Sequence, residues 1–222
     1  IHGCLVGSEM CIRDRLQAAT GAPTFGYGPH GAGKQEQGIT VEEGGDMDFV
    51  PDQAVRHGDI IEGRNWSVEC VYTPGHTSNH MCFALREEKA LFTGDHVMGW
   101  STSIISPPDG DMADYMSSLD LLLQRDDVVY WPTHGPCIDE PKNHVRAFIQ
   151  HREEREAQIL ACIEQGVHNI RDMVPMMYRD TPEFMYPAAA RSVLAAMENL
   201  LKKQQVTIAS GTCLLYTSPS PR

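Results

Sequence analysis

At 222 residues, 41% of them hydrophobic, the chain has room for one large or two small domains around a proper apolar core. A formal net charge of −12 argues against a protein that coats nucleic acid generically, leaving at most a local basic face for such contacts. No apolar run reaches the roughly 18 residues of a membrane span.

The two ends carry an unusual relation. A codon choice for Glu9-Met10-Cys11-Ile12-Arg13-Asp14, read on the opposite strand one frame over, encodes Cys213-Leu214-Leu215-Tyr216-Thr217-Ser218. The relation continues outward and pairs Leu5–Ser8 with Pro219–Arg222. Inverted copies at both ends resemble translated sequencing adapter, so residues 1–15 and 213–222 are set aside as non-native, and the start is not read as a signal peptide. Of the seven cysteines, Cys70, Cys82, Cys137 and Cys162 then remain, widely spaced and without a Cys-x-x-Cys. That pattern suits reduced thiols and a cytoplasmic location better than a disulfide framework.

In chain order, Leu16–Gly21 reads as the last turns of a helix closed by glycine, and Pro23–Tyr27 as a short strand. Gly28–Lys34 matches the spacing of a phosphate loop. Gln35 stands where a magnesium-holding hydroxyl is needed, no helix pattern follows, and the preceding strand is short, so the segment reads as a surface loop with His30 exposed. Residues 38–50 are an acidic, glycine-rich connection in which Asp46 or Asp48 could brace a strand. Asp59–Gly63 and Trp66–Tyr72 form a hairpin turning at Gly63-Arg64-Asn65; Met81–Leu85 and Ala90–Thr93 form a second around Arg86–Lys89.

Trp100–Gly110 is a proline-containing loop long enough to flank a site. A helix follows over Asp111–Arg125, with Asp111 as its N-cap and Met112, Tyr115, Leu119 and Leu122 on one stripe. Asp127–Tyr130 leads into another strand. Pro141–Gln165 is a long helix with proline in its first turn and Gly166 beyond its end; its middle, His151–Glu156, is charged enough to predict exposure. Helices over Ile170–Tyr178 and Pro187–Lys203 and a β-prone Val206-Thr207-Ile208 complete the chain, the last helix offering Arg191, Lys202 and Lys203 to solvent or to phosphate.

Three strands end in potential metal ligands: Thr73-Pro74-Gly75-His76, Leu91-Phe92-Thr93-Gly94-Asp95 and Tyr130-Trp131-Pro132-Thr133-His134. Strand ends put such side chains at the rim of a sheet, where imidazole and carboxylate together suit a borderline metal ion. His80 and His96 follow closely enough to orient a ligand or simply to pack.

These three motifs, in this order, resemble the later metal motifs of the metallo-β-lactamase superfamily, and most of all its β-lactamase-like protein 2 branch, which carries a C-terminal winged helix. The resemblance runs from about Leu16 to Val206. It implies an α+β fold: a four-layer αββα sandwich over residues 16–152, incomplete here, followed by a small winged-helix domain over 153–212. It also implies a binuclear zinc hydrolase acting on an ester, a thioester or a phosphodiester, with a small-molecule acyl substrate or single-stranded RNA as partner and a homodimer left open. By motif, His76 falls to the first metal, Asp95 to the bridge and His134 to the second. The family's first motif, His-x-His-x-Asp-His, which supplies the remaining ligands and a general-base aspartate, does not occur in these residues. The resemblance therefore implies a fragment of a hydrolase, itself metal-poor and inactive. The competing expectation is a non-catalytic scaffold whose winged helix binds nucleic acid or protein.

Overall fold

The computed structural model describes residues 5–34, 49–208 and 217–219, and side chains from residue 12 to residue 208 within those spans. Its first element is α1 (Leu5–Thr20), closed where the Gly21 N–H reaches the Gln17 carbonyl. The helix thus begins inside the segment set aside as adapter-like. Two short strands follow, β1 (Phe25–Gly26) and β2 (Gln53–Ala54), paired in parallel; Asp46 and Asp48 lie outside the described residues.

The body of the fold is one five-stranded sheet in the order β3 (Ile60–Gly63), β4 (Trp66–Tyr72), β5 (Met81–Leu85), β6 (Ala90–Gly94), β7 (Val129–Pro132). The first four strands are antiparallel, joined by the two predicted hairpins, and β7 joins β6 in parallel. Alternation along the strands sends Val71, Cys82, Ala84, Leu91 and Tyr130 to one face, where they are buried. Against that face lie α2 (Met112–Leu123), through Tyr115, Leu119 and Leu122, and the first half of α3 (Pro141–Glu164), through Val145 and Phe148. Asp111 caps α2 as expected, its side chain accepting from the Ala113 and Asp114 N–H groups. On the opposite face the register aligns Cys70, Phe83, Phe92 and Trp131; Phe92 is 46% and Trp131 48% exposed. Of the expected sandwich the described residues show one five-stranded sheet with helices on one face, and β1–β2 as a separate pair.

The second core belongs to the winged helix. Ile159, Cys162 and Ile163 of α3 pack with Met173 and Val174 of α4 (Ile170–Met177), with Val193, Met197 and Leu200 of α5 (Tyr186–Lys202), and with Val206 of β8 (Val206–Ile208). Strand β9 (Thr217–Pro219), also set aside in the sequence, pairs with β8. Helix α3 runs unbroken through residue 153, so the two cores are joined along one helix.

The charged middle of α3 is only in part the exposed stretch that its composition predicts: Glu153 and Glu154 are exposed, the rest is not. Arg152 is only 6% exposed. Arg155 donates to the Met177 carbonyl at 2.8 Å, and Glu156 accepts from Asn199 at 2.6 Å and from Lys203 at 2.7 Å. Lys202 pairs with Asp111 across the same seam. Charge predicts solvent only where nothing else offers a partner, and here the second domain does. Lys202 thus ties the last helix to the start of α2, while Lys203 pairs with Glu156 within the second domain. Among the described residues no helix is long and apolar enough to cross a membrane.

Candidate metal centre

Each of the three predicted ligands sits just past the end of a strand, and the structure brings them to one place. His76 lies in the loop after β4, Asp95 directly after β6 and His134 two residues after β7. The His76 loop is pinned to α2: the Gly75 carbonyl accepts from Asp111 N–H at 2.8 Å, and Ser118 donates to the Pro74 carbonyl at 2.8 Å. Gly75 has φ +135°, and a side chain there would run into the Tyr115 backbone, so only glycine allows this approach. Gly94 turns the chain at φ +55° and lets His80 Nε2 come within 2.7 Å of where a Cβ would stand.

Asp95 lies between the two histidines. His134 Nε2 is 3.6 Å from its Oδ1, and His76 Nε2 is 4.0 Å from its Oδ2. Both gaps exceed hydrogen-bond length. Two ligand bonds of about 2.0–2.2 Å meeting near the tetrahedral angle put nitrogen and oxygen about 3.4 Å apart, which the His134 gap matches closely and the His76 gap more loosely. Two further observations fit a cation. Asp95 Oδ1 is buried with no hydrogen-bond partner. His76 Nδ1 donates to the Ile104 carbonyl at 2.6 Å, which fixes the tautomer and leaves the Nε2 lone pair facing Asp95. The site remains partly open to solvent, with side-chain exposures of 18% for His76, 31% for Asp95 and 28% for His134. Among the described residues, no group of three or more His, Cys, Asp or Glu side chains surrounds a single metal position. The fit is to part of a site: one imidazole and one carboxylate oxygen for each of two ions.

His80 and His96 lie behind the ligands. His80 Nδ1 shares a hydrogen with Thr73 Oγ1 at 2.9 Å, and burial, with His76 nearby, pushes its pKa down to about 3. His96 is fully buried, its ring 4.7 Å from that of Tyr115 and 5.6 Å from that of His80. Neither of its ring nitrogens has a hydrogen-bond partner, and burial holds its pKa well below the usual value. Both rings are therefore neutral, and His96 meets the site through its backbone rather than its imidazole.

Several neighbours were not foreseen from the sequence. The Ser103 hydroxyl lies against the Asp95 carbonyl and, at 2.9 Å, the His96 carbonyl, while Tyr115 OH donates to the latter at 2.9 Å. Trp100, 72% exposed, lies nearly parallel to the His134 ring with centroids 6.2 Å apart. The Gly28–Lys34 loop, expected to stand in solvent, is docked beside the site: Asn79 donates to the Gly28 and Pro29 carbonyls, and Lys34 to that of Pro108. His30 is not exposed; its side chain is 13% accessible and lies 3.6 Å from buried Asp109, whose carboxylate accepts from the Ser78 N–H. Proximity of these loops across 50 residues or so of chain leaves no local signature.

The sequence matches the model of the metallo-beta-lactamase superfamily over residues 12–134, a span that takes in all three site residues. The chain belongs to this superfamily. A second match, over residues 170–211, is to the beta-lactamase associated winged helix domain. Among curated relatives, the beta-lactamase-like protein 2 homolog of Drosophila melanogaster is 35% identical over 150 residues, covering 66% of this chain and 49% of that protein. The lactamase-like protein adaB of Aspergillus niger is 37% identical over 114 residues, covering 51% of this chain and 35% of its own length. The chain thus spans half or less of these two relatives. Solved structures of a metallo-beta-lactamase family protein from Thermus thermophilus (TM-score 0.65, 20% identity, 75% of this chain and 54% of that one) and a beta-lactamase domain protein from Burkholderia ambifaria (TM-score 0.67, 19% identity, 78% and 54%) share the fold. Metallo-beta-lactamase proteins are commonly hydrolases and bind metal ions.

Proposed function

We propose that this chain carries part of the centre of a metal-dependent hydrolase, with His76 holding one zinc ion, His134 a second, and Asp95 bridging the two. The observation that carries this is the arrangement at Asp95: a buried, partnerless oxygen towards one imidazole and its second oxygen towards another, both too far for hydrogen bonds. Metal ions held by these residues would supply Lewis-acid chemistry towards water and a carbonyl or phosphoryl oxygen, which suits cleavage of esters, thioesters and phosphodiesters. The chain's own residues do the rest. Ile104 holds His76 in its ligating tautomer, Ser103 fixes the backbone carrying Asp95, and Trp100 walls the side of His134 that faces solvent.

Among the described residues two donors face each ion position, fewer than the three or four that hold zinc tightly. The chain on its own is therefore a weak zinc binder and a poor catalyst. Metal analysis after dialysis against micromolar zinc tests this: clearly fewer than two ions per chain are expected to remain, and two retained ions would contradict the ligand count. An acyl thioester and single-stranded RNA are the two substrate classes to assay, with Asp95→Asn as the control. The winged helix gives no separate support to a nucleic-acid role, because Lys202 is paired with Asp111 and Lys203 with Glu156.

A further inference from the structure

The loop between Asp95 and α2 has no regular secondary structure, yet both ends of the candidate centre are tied to two adjacent residues of it, Ser103 and Ile104. The Ser103 hydroxyl meets the Asp95 carbonyl, and the next carbonyl, that of Ile104, takes the Nδ1 hydrogen of His76. What holds this segment is a buried cation on a different element: Arg152 of α3 donates through Nη2 to the Ser103 carbonyl. Its guanidinium carbon lies 5.3 Å from the Tyr115 ring centroid, over the tyrosine whose hydroxyl donates to the His96 carbonyl. Arg152 is 6% exposed, and its Nε has no hydrogen-bond partner. A guanidinium taken out of water with incomplete hydrogen bonding is costly, and an apolar residue would fill a helix–loop contact at less cost.

We propose that Arg152 is a positioning residue for the candidate metal pair, acting through the backbone segment of Ser103 and Ile104. The proposal rests on the metal reading of His76, Asp95 and His134. Withdrawing the guanidinium frees the Ser103 carbonyl, and with it the segment whose next carbonyl sets the His76 tautomer and whose serine hydroxyl meets the backbone of Asp95, while leaving all three residues in the sequence. The winged helix shares in this arrangement. A small cavity of about 10 Å³ beside Arg152 is walled by Arg155 and Glu156 of α3 and by Val193 and Ala196 of α5, so the second domain shields the arginine from water. The domain seam thereby becomes part of what holds the site, through an α3 cation rather than through any residue of the winged helix itself.

The test compares the full chain with Arg152→Lys and Arg152→Met, each checked for folding by circular dichroism. Nitrogen–proton correlation spectra of the histidine rings report the His76 tautomer without metal, and zinc titration reports the response of His76 and His134. The unmodified chain is expected to hold His76 as the Nδ1–H form. Arg152→Met is expected to show mixed tautomers and roughly a tenfold or greater loss of zinc affinity, of the size that displaced supporting groups cause, with Arg152→Lys recovering most of both. A folded Arg152→Met with the original tautomer and the original zinc response overturns the proposal. If Arg152→Met does not fold, Arg152→Gln is measured in its place against the same two outcomes. Zinc that moves neither His76 nor His134 in the unmodified chain overturns the metal reading itself, whatever the variants show.

Discussion

The nearer oxygen of Asp95 stands 3.6 Å from Nε2 of His134, buried and without a hydrogen-bond partner, although the two residues arrive from different strands. A carboxylate left in this state is costly to bury. Asp95→Asn removes the charge at nearly constant shape. It is expected to leave the thermal midpoint unchanged or raised, because an amide costs less to bury than a carboxylate, and to weaken zinc binding at least tenfold. Calorimetric unfolding and zinc titration of the same sample check both. A fall in stability would show that Asp95 is chiefly structural.

Asp111 links the N-terminus of α2 to the domain seam, and its response to pH follows from its surroundings. Burial alone would raise its carboxyl, but the Lys202 ammonium and the Asp114 and Ala113 N–H groups outweigh burial and hold it below the ordinary 3.8. A depressed folded value means that this stability is complete above about pH 4 and is lost as pH falls towards the folded value. Asp111→Asn keeps a capping side chain but no charge, so its stability should fall less steeply below pH 4 than that of the unmodified chain. Asp111→Ala loses the cap as well and should cost about 1 kcal/mol at neutral pH. Denaturant midpoints across pH 3–7 (a range chosen to span roughly the carboxylate region) decide it.

The four described cysteines differ sharply in access. Burial pushes the Cys82 thiol up to about 12 and raises Cys70 and Cys162, whereas Cys137 is partly open to solvent. Iodoacetamide at about pH 8 should label Cys137 at least tenfold faster than the other three. Peptide mass spectrometry gives the order directly, and early labelling of Cys82 would mean that the sheet face against α2 opens.

Leu119 is fully buried between α2 and the sheet, in the core that sets the height of Gly75 against Tyr115. Leu119→Ala should cost roughly 2–5 kcal/mol by the cavity it leaves. Because the loop carrying His76 is pinned to the same helix, zinc response should weaken together with stability, measured on one set of samples.

Much of this was legible from the sequence. Hairpins at Arg64-Asn65 and Arg86–Lys89, the Asp111 cap and the apolar stripe of α2 follow from local chemistry, and His76, Asp95 and His134 stood out because each follows a β-prone run. What escaped was everything settled by contact across the fold. Ser103 looks like its neighbours Ser101 and Ser106, and nothing local marks which serine meets Asp95. In the run His151–Glu156, charge matches exposure at Glu153 and Glu154, but Arg152, Arg155 and Glu156 each find a partner in a distant segment. His30 misled for the same reason: a glycine-rich loop gives no sign that it will lie on Asp109.

The central claim, that His76, Asp95 and His134 act together on metal, is tested most directly by titrating zinc into the chain while following the ring signals of all the described histidines. The account predicts that His76 and His134 shift together with weak, shared saturation, that buried His80 and His96 follow only slightly, and that Asp95→Asn abolishes the response. Signals from His76 and His134 that stay still, or that move unchanged in Asp95→Asn, would contradict it.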